Sequence, residues 1–160
     1  MSSINVIGID HIYVSVTDMR RAEKFYDAVM KLLDFRKGAM PIGGDEHLHY
    51  FNRVTQYSIR PARVEQKHDP YQPGLHHLCF RVENNQQVDA VADGLSQLDI
   101  QCSKPQFYPE YADDYYAVFF EDPDGIRLEV VALRKGRRLI TDAWDRLTEF
   151  ENSMAKAGLV

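Results

Sequence analysis

Cysteine is scarce: the 160 residues hold only Cys79 and Cys102, in unrelated contexts, which leaves no CxxC site and no disulfide framework. Both thiols are expected to be reduced. Long apolar runs are missing as well. None approaches the roughly 20 residues of a transmembrane helix, and MSSINVIGID lacks the charged and apolar regions of a signal peptide. The expectation is a cytoplasmic chain with no membrane partner. Positive charge is in deficit, with 19 Lys and Arg against 24 Asp and Glu and a formal net charge of -5. Phosphate neutralisation needs clustered cations, so nucleic acid is not an expected partner. The one basic run, Arg134 to Arg138, reads as a solvated linker ahead of a final helix.

What is present is an ordinary globular composition, 44% hydrophobic and 27% charged, on a chain long enough to bury its own core. Residues 1–160 are therefore read as a single domain. Within it lies a repeat. GIDHIYVSV at 8–16 aligns without a gap on GLHHLCFRV at 74–82, so His11 meets His77 and Asp10 meets His76. The same offset carries into two helices. After TDM, with Thr17 or Asp18 as N-cap, come Ala22, Phe25, Val29 and Leu32; after ENN, with Asn84 or Asn85 as N-cap, come Val88, Val91, Leu95 and Leu98.

Further strands are predicted near 34–39, 46–53 and 56–64 around PIGGD, and near 100–107, 115–121 and 126–133 around DPDG. The fold class is α+β: two βαβββ modules, 8–66 and 74–133, joined by the polar linker KHDPYQPG. A helical extension, 134–160, follows. In it Ile140, Ala143, Trp144, Leu147, Phe150 and Met154 form one apolar stripe over a helix from about Thr141 to Lys156, packing on this chain or on a second copy. A homodimer is therefore left open.

Strand alternation sorts side chains by face. Ile12, Val14 and Val16 pack, leaving His11, Tyr13 and Ser15 opposite; Leu78, Phe80 and Val82 pack, leaving His77, Cys79 and Arg81. His76 falls on the packed face as a local hydrogen-bonding residue. Glu129, between Leu128 and Val130, is an acid in a β-rich run and calls for solvent or a cation. Two imidazoles and one carboxylate with open positions suit a catalytic divalent metal, with His11, His77 and Glu129 as ligands.

DHIYVSVTDMRRAEKFYDAVMKLLDF, GLHHLCFRV and FFEDPDGIRLEVV resemble the vicinal oxygen chelate superfamily of glyoxalases, fosfomycin and bleomycin resistance proteins and extradiol dioxygenases, over roughly residues 8 to 133. The resemblance implies an open, incomplete β-barrel around a metal cleft, with His11, His77 and Glu129 at the ligand positions. It implies one divalent ion, Fe, Mn, Ni or Zn, and a small substrate chelated through adjacent oxygens. The leading expectation is a metal-dependent glyoxalase-like lyase or isomerase. An Fe(II) extradiol-type dioxygenase is one alternative, and a metal-free ligand-sequestering protein like the bleomycin resistance proteins is another.

Departures from the family pattern matter. An offset of 69 puts Arg60 opposite Glu129, where glyoxalase I enzymes take a fourth ligand; arginine cannot ligate but suits a substrate anion. Phe119 stands ten residues before the last ligand, where dioxygenases and fosfomycin-modifying enzymes of the family carry tyrosine, so Tyr115 is the candidate to supply a hydroxyl at the rim. In EHLHYF the same offset turns Glu46 and Tyr50 to the cleft and His47 and His49 away. Glu46 and Glu129 are then the candidate bases, and Arg60, Tyr50, Tyr115 and Phe119 the substrate contacts.

Overall fold

The computed structural model describes residues 4–148 and 150–158. Each module opens with a strand and a capped helix. β1 (His11–Val16) leads into α1 (Met19–Leu32), whose first turn is closed by the Asp18 carboxylate accepting from Arg21 N–H. β5 (Leu78–Val82) leads into α2 (Asn85–Gln97), where the Asn84 side chain accepts from Gln87 N–H in the same way. Both helices end at an aspartate in the left-handed region, Asp34 and Asp99 with φ of 60° and 58°, a conformation that short polar side chains tolerate.

The remaining strands are β2 (Arg36–Ala39), β3 (Leu48–Phe51) and β4 (Gln56–Pro61) in the first module, and β6 (Gln106–Phe107), β7 (Tyr116–Glu121) and β8 (Arg127–Ala132) in the second. They form two four-stranded mixed sheets of identical order, β1-β4-β3-β2 and β5-β8-β7-β6, with the first pair in each parallel. Among the described residues no barrel closes, and β1 and β5 are edge strands. The strand expected over 100–107 shrinks to two residues because Pro105 lacks the N–H to extend the ladder; Cys102 makes only an isolated bridge to Phe120.

The packed faces of both sheets share one core. Phe80 of the second module lies against Tyr57 and Phe35 of the first, with ring centroids 6.2 and 5.9 Å apart. Tyr26 of α1 hydrogen-bonds Tyr57 Oη at 2.9 Å and donates to Asp122 at 2.8 Å, so a buried polar chain crosses between modules with its groups satisfied. Where the helices approach, Gly94 leaves room for Leu32; a Cβ there would lie 2.5 Å from Leu32 Cδ1. The joined faces leave His11, Tyr13 and Ser15 on one open surface and His77, Cys79 and Glu129 on another.

The single C-terminal helix expected from Thr141 to Lys156 is not what forms. α3 (Lys135–Ala143) runs into a short 3-10 turn, Trp144–Arg146, and after a break comes α4 (Ser153–Lys156). Only Ala143 of the apolar stripe is buried, whereas Trp144, Phe150 and Met154 are exposed, so the stripe lacks the packing that would sustain one long helix. Glu149 of that expected helix and the domain ends, 1–3 and 159–160, lie outside the described residues. Among the described residues no helix is long and apolar enough to cross a membrane.

Candidate functional site

β8 carries Glu129 between Leu128 and Val130, opposite Cys79 on β5 and Phe119 on β7. The carboxylate is buried, and Tyr115 Oη donates to its Oε1 at 2.5 Å. Enclosure and the neighbouring carboxylate both push the Tyr115 pKa up, which keeps the phenol a donor. The other oxygen, Oε2, lies 3.4 Å from His77 Nε2. A buried carboxylate beside one imidazole supplies two donors of the kind a divalent metal ion takes. These groups border a cavity of about 850 Å3, whose lining comes entirely from residues 76 to 134.

Each candidate histidine is oriented by the residue before it. His77 Nδ1 is 2.7 Å from His76 Nδ1, and His11 Nδ1 is 2.8 Å from Asp10 Oδ2. Engaging Nδ1 leaves Nε2 for a ligand, a common second tier of metal sites. His76 is thus exposed at the cavity, not on the packed face as the alternation suggested, because β5 begins only at Leu78. Cys79 is exposed as a residue, yet local enclosure and the Glu129 carboxylate push its thiol well up, against a thiolate role.

The first module presents its own open face. β1, β3 and β4 pair so that Tyr13, Ser58 and His49 form one row across the sheet, with His11 and Gln56 beside it. His49 Nδ1 meets Ser58 Oγ at 2.9 Å, while its Nε2 is buried without a hydrogen-bond partner among the described residues. His47 stacks on His49, with ring centroids 6.2 Å apart. The expected faces of this strand are therefore reversed. Tyr50 points to α1 and donates to Asp27 at 2.8 Å, and Glu46 is exposed ahead of β3 and does not border the Glu129 cavity. Neither stands where a substrate contact or base for that cavity was expected.

The register also corrects the offset of 69. Tyr13 pairs with Ser58 as Cys79 pairs with Glu129, so Ser58, not Arg60, is the counterpart of Glu129, and His49 is the counterpart of Phe119. Arg60 is held by Asp45 at 2.7 Å, and Arg63 shares that carboxylate. Phe119 does face the Glu129 cavity, edge-on to Tyr108 at 5.1 Å.

His77 and Glu129 come together and His11 does not: among the described residues no three His, Cys, Asp or Glu side chains are placed to hold one ion. Sequence reasoning missed His76, Tyr108, Tyr111 and Arg134. A signal existed in QFYPEYADDYY, where aromatic density in a turn-rich segment marks a surface built for contact. Tyr115→Phe is expected to lower metal affinity about tenfold, since the bond orienting Glu129 is lost while the ring stays. Metal titration with a competing chelator measures it, and an unchanged affinity would remove Tyr115 from the site.

A sequence model of the Glyoxalase/Bleomycin resistance protein/Dioxygenase superfamily matches residues 8–130. YqjT of Bacillus subtilis (strain 168), an uncharacterized protein, is 29% identical over 126 residues, covering 76% of this chain and 96% of its own. A glyoxylase/bleomycin resistance protein/dioxygenase domain from Frankia sp. EAN1pec superposes with a TM-score of 0.68 at 21% identity, over 81% of this chain and 100% of that one. A mutant of the fosfomycin resistance protein FosX from Listeria monocytogenes, complexed with Mn(II) and 1S,2S-dihydroxypropylphosphonic acid, gives 0.63 at 15% identity, over 84% and 98%.

Proposed function

Because this chain belongs to the Glyoxalase/Bleomycin resistance protein/Dioxygenase superfamily, we propose that it is a divalent-metal-dependent lyase or isomerase whose small substrate is held through adjacent oxygens. The observation that carries this is the His77–Glu129 pair, 3.4 Å apart at the floor of a cavity, with a hydrogen-bonding partner behind each side chain. The Mn(II) in the FosX complex is in keeping with it. A divalent ion bound there supplies Lewis acidity to the substrate oxygens. His77 and Glu129 would hold that ion, with His76 and Tyr115 fixing their orientation and Phe119 and Tyr108 forming one apolar wall. Glu129 is the carboxylate nearest the reacting atoms and the candidate to carry a proton.

The third ligand in this reading is His11 of the partner subunit in a homodimer. Two observations support it: His11 belongs to a separate open face, and the segment ahead of edge strand β1 exposes Ile4, Val6, Ile7 and Ile9. A twofold axis would give two equivalent composite sites. The test is complementation. His11→Ala and His77→Ala should each lose metal, whereas mixing the two after dissociation should restore about a quarter of the sites, since half the dimers are mixed and each has one intact site. No recovery on mixing would sink the shared site. Metal identity separates the reactions: turnover with Mn, Ni or Zn without oxygen demand fits the lyase or isomerase, and oxygen uptake with Fe(II) and catechols would replace it with the dioxygenase.

A further inference from the structure

The wall above Glu129 is built of four rings. Tyr108 meets Phe119 edge-on at 5.1 Å, Tyr111 meets Tyr115 at 5.1 Å, and Tyr108 and Tyr111 run nearly parallel with centroids 6.1 Å apart. Rings locked edge to face present a stiff apolar surface at little entropic cost, which suits a flat body of similar kind. Beside them Arg134, half-buried at the start of α3, lays its guanidinium over the Tyr115 ring at 5.0 Å. Among the described residues it makes no ion pair, unlike Arg127, which is engaged by the Tyr71 hydroxyl at 3.2 Å and by Glu121 at 3.9 Å. Of the acids bordering the cavity, Glu129 is bound by Tyr115 and Glu121 faces Arg127, while Glu110 is exposed to solvent.

A guanidinium held flat on a ring and lacking a carboxylate keeps its forked donors for a ligand. We infer that the cavity selects a small aryl carboxylate, its ring against Tyr108, Tyr111 and Phe119 and its carboxylate on Arg134, set apart from the atoms that reach His77 and Glu129. This rests on the reading of that cavity as the substrate site and names the class of molecule it takes. A cavity of about 850 Å3 accommodates one such molecule with room to spare.

The experiment is calorimetric titration of the full chain, metal-free and Mn(II)-loaded, with phenylacetate, its neutral isostere phenylacetamide, and the ring-free hexanoate. Phenylacetate is expected to bind saturably and about tenfold tighter than either of the others, since each lacks one of the two recognised features. Arg134→Met should erase the preference over phenylacetamide, and Arg134→Lys should recover part of it; Tyr108→Leu should erase the preference over hexanoate. Retained melting temperature in each variant keeps the comparison valid. Equal binding of acid and amide, or a preference that survives Arg134→Met, overturns the inference, as does no binding of phenylacetate. Elemental analysis of the same samples reads the metal proposal separately: an Arg134-dependent preference in protein that takes up no metal leaves the inference standing and ends the metal reading.

Discussion

Glu129→Gln is expected to leave the protein folded but empty: about one divalent ion per chain in the untagged parent, and less than about a tenth of that in the variant. The substitution conserves shape, and the amide oxygen still accepts from the Tyr115 hydroxyl that lies 2.5 Å from the carboxylate. What disappears is the one anionic donor in the cavity that is fully buried. Turnover should fall by at least about a hundredfold, more than the loss of an outer partner of a metal site costs. Metal-free stability should hold, because an unpaired buried charge is relieved and not created. The thermal readout is therefore differential. At metal concentrations about a hundred times Kd the parent gains about 2.7 kcal/mol and the variant gains none. A variant that keeps full metal occupancy would move the centre away from Glu129.

Asp124→Ala is expected to cost about 2–4 kcal/mol of stability, a fall of roughly 4–16 °C in Tm for a chain of this size. The reason is the company its carboxylate keeps. Asp124 is buried in the DPDG turn of the second module and accepts from Thr17 N–H at 2.7 Å, Thr17 Oγ1 at 2.5 Å and Arg21 Nη2 at 2.7 Å, all in the first. Removing it strands the Thr17 N–H. The arginine contributes less, since its side chain is 51% exposed and water screens the pair. Asp124→Asn should fall between the two, because its amide keeps an oxygen for Thr17 N–H but brings an N–H group towards Arg21. Chemical denaturation measures the difference; a loss under about 0.5 kcal/mol would mean the turn is held by its backbone bonds alone.

The repeat was legible as local pattern in the opening strand and helix of each module. Asp18 and Asn84 cap equivalent helices, both sheets have the same strand order, and the packed faces of β1 and β5 are those that alternation assigned. His77 and Glu129 could also be singled out, since a buried acid in an apolar strand and a repeated histidine are each conspicuous in one dimension. Where reading along the chain failed, a loop of unequal length intervened. Residues 33–35 join α1 to β2 where 98–105 join α2 to β6, and 52–55 join β3 to β4 where 122–126 join β7 to β8, so an offset carried across them exchanged Arg60 for Ser58 and Tyr50 for His49. A slip of one residue turns every side chain in a strand to the other face, and a slip of two keeps the face while changing the neighbour.

Side-chain periods of 2.0 and 3.6 are properties of a single strand or helix, so element type, caps and the inward face of each element follow from the order of residues along the chain. Which groups then meet is a matter of long-range register and of how two modules dock. The Tyr115 hydroxyl reaches Glu129, Arg134 settles on the Tyr115 ring, and His11 stays on a separate face from His77 because Tyr26, Tyr57, Phe80 and Asp122 close the core between the modules. None of those contacts joins residues closer than fourteen apart, and in the sheets it is hydrogen bonding between strands, not the sequence of any one strand, that selects the partner.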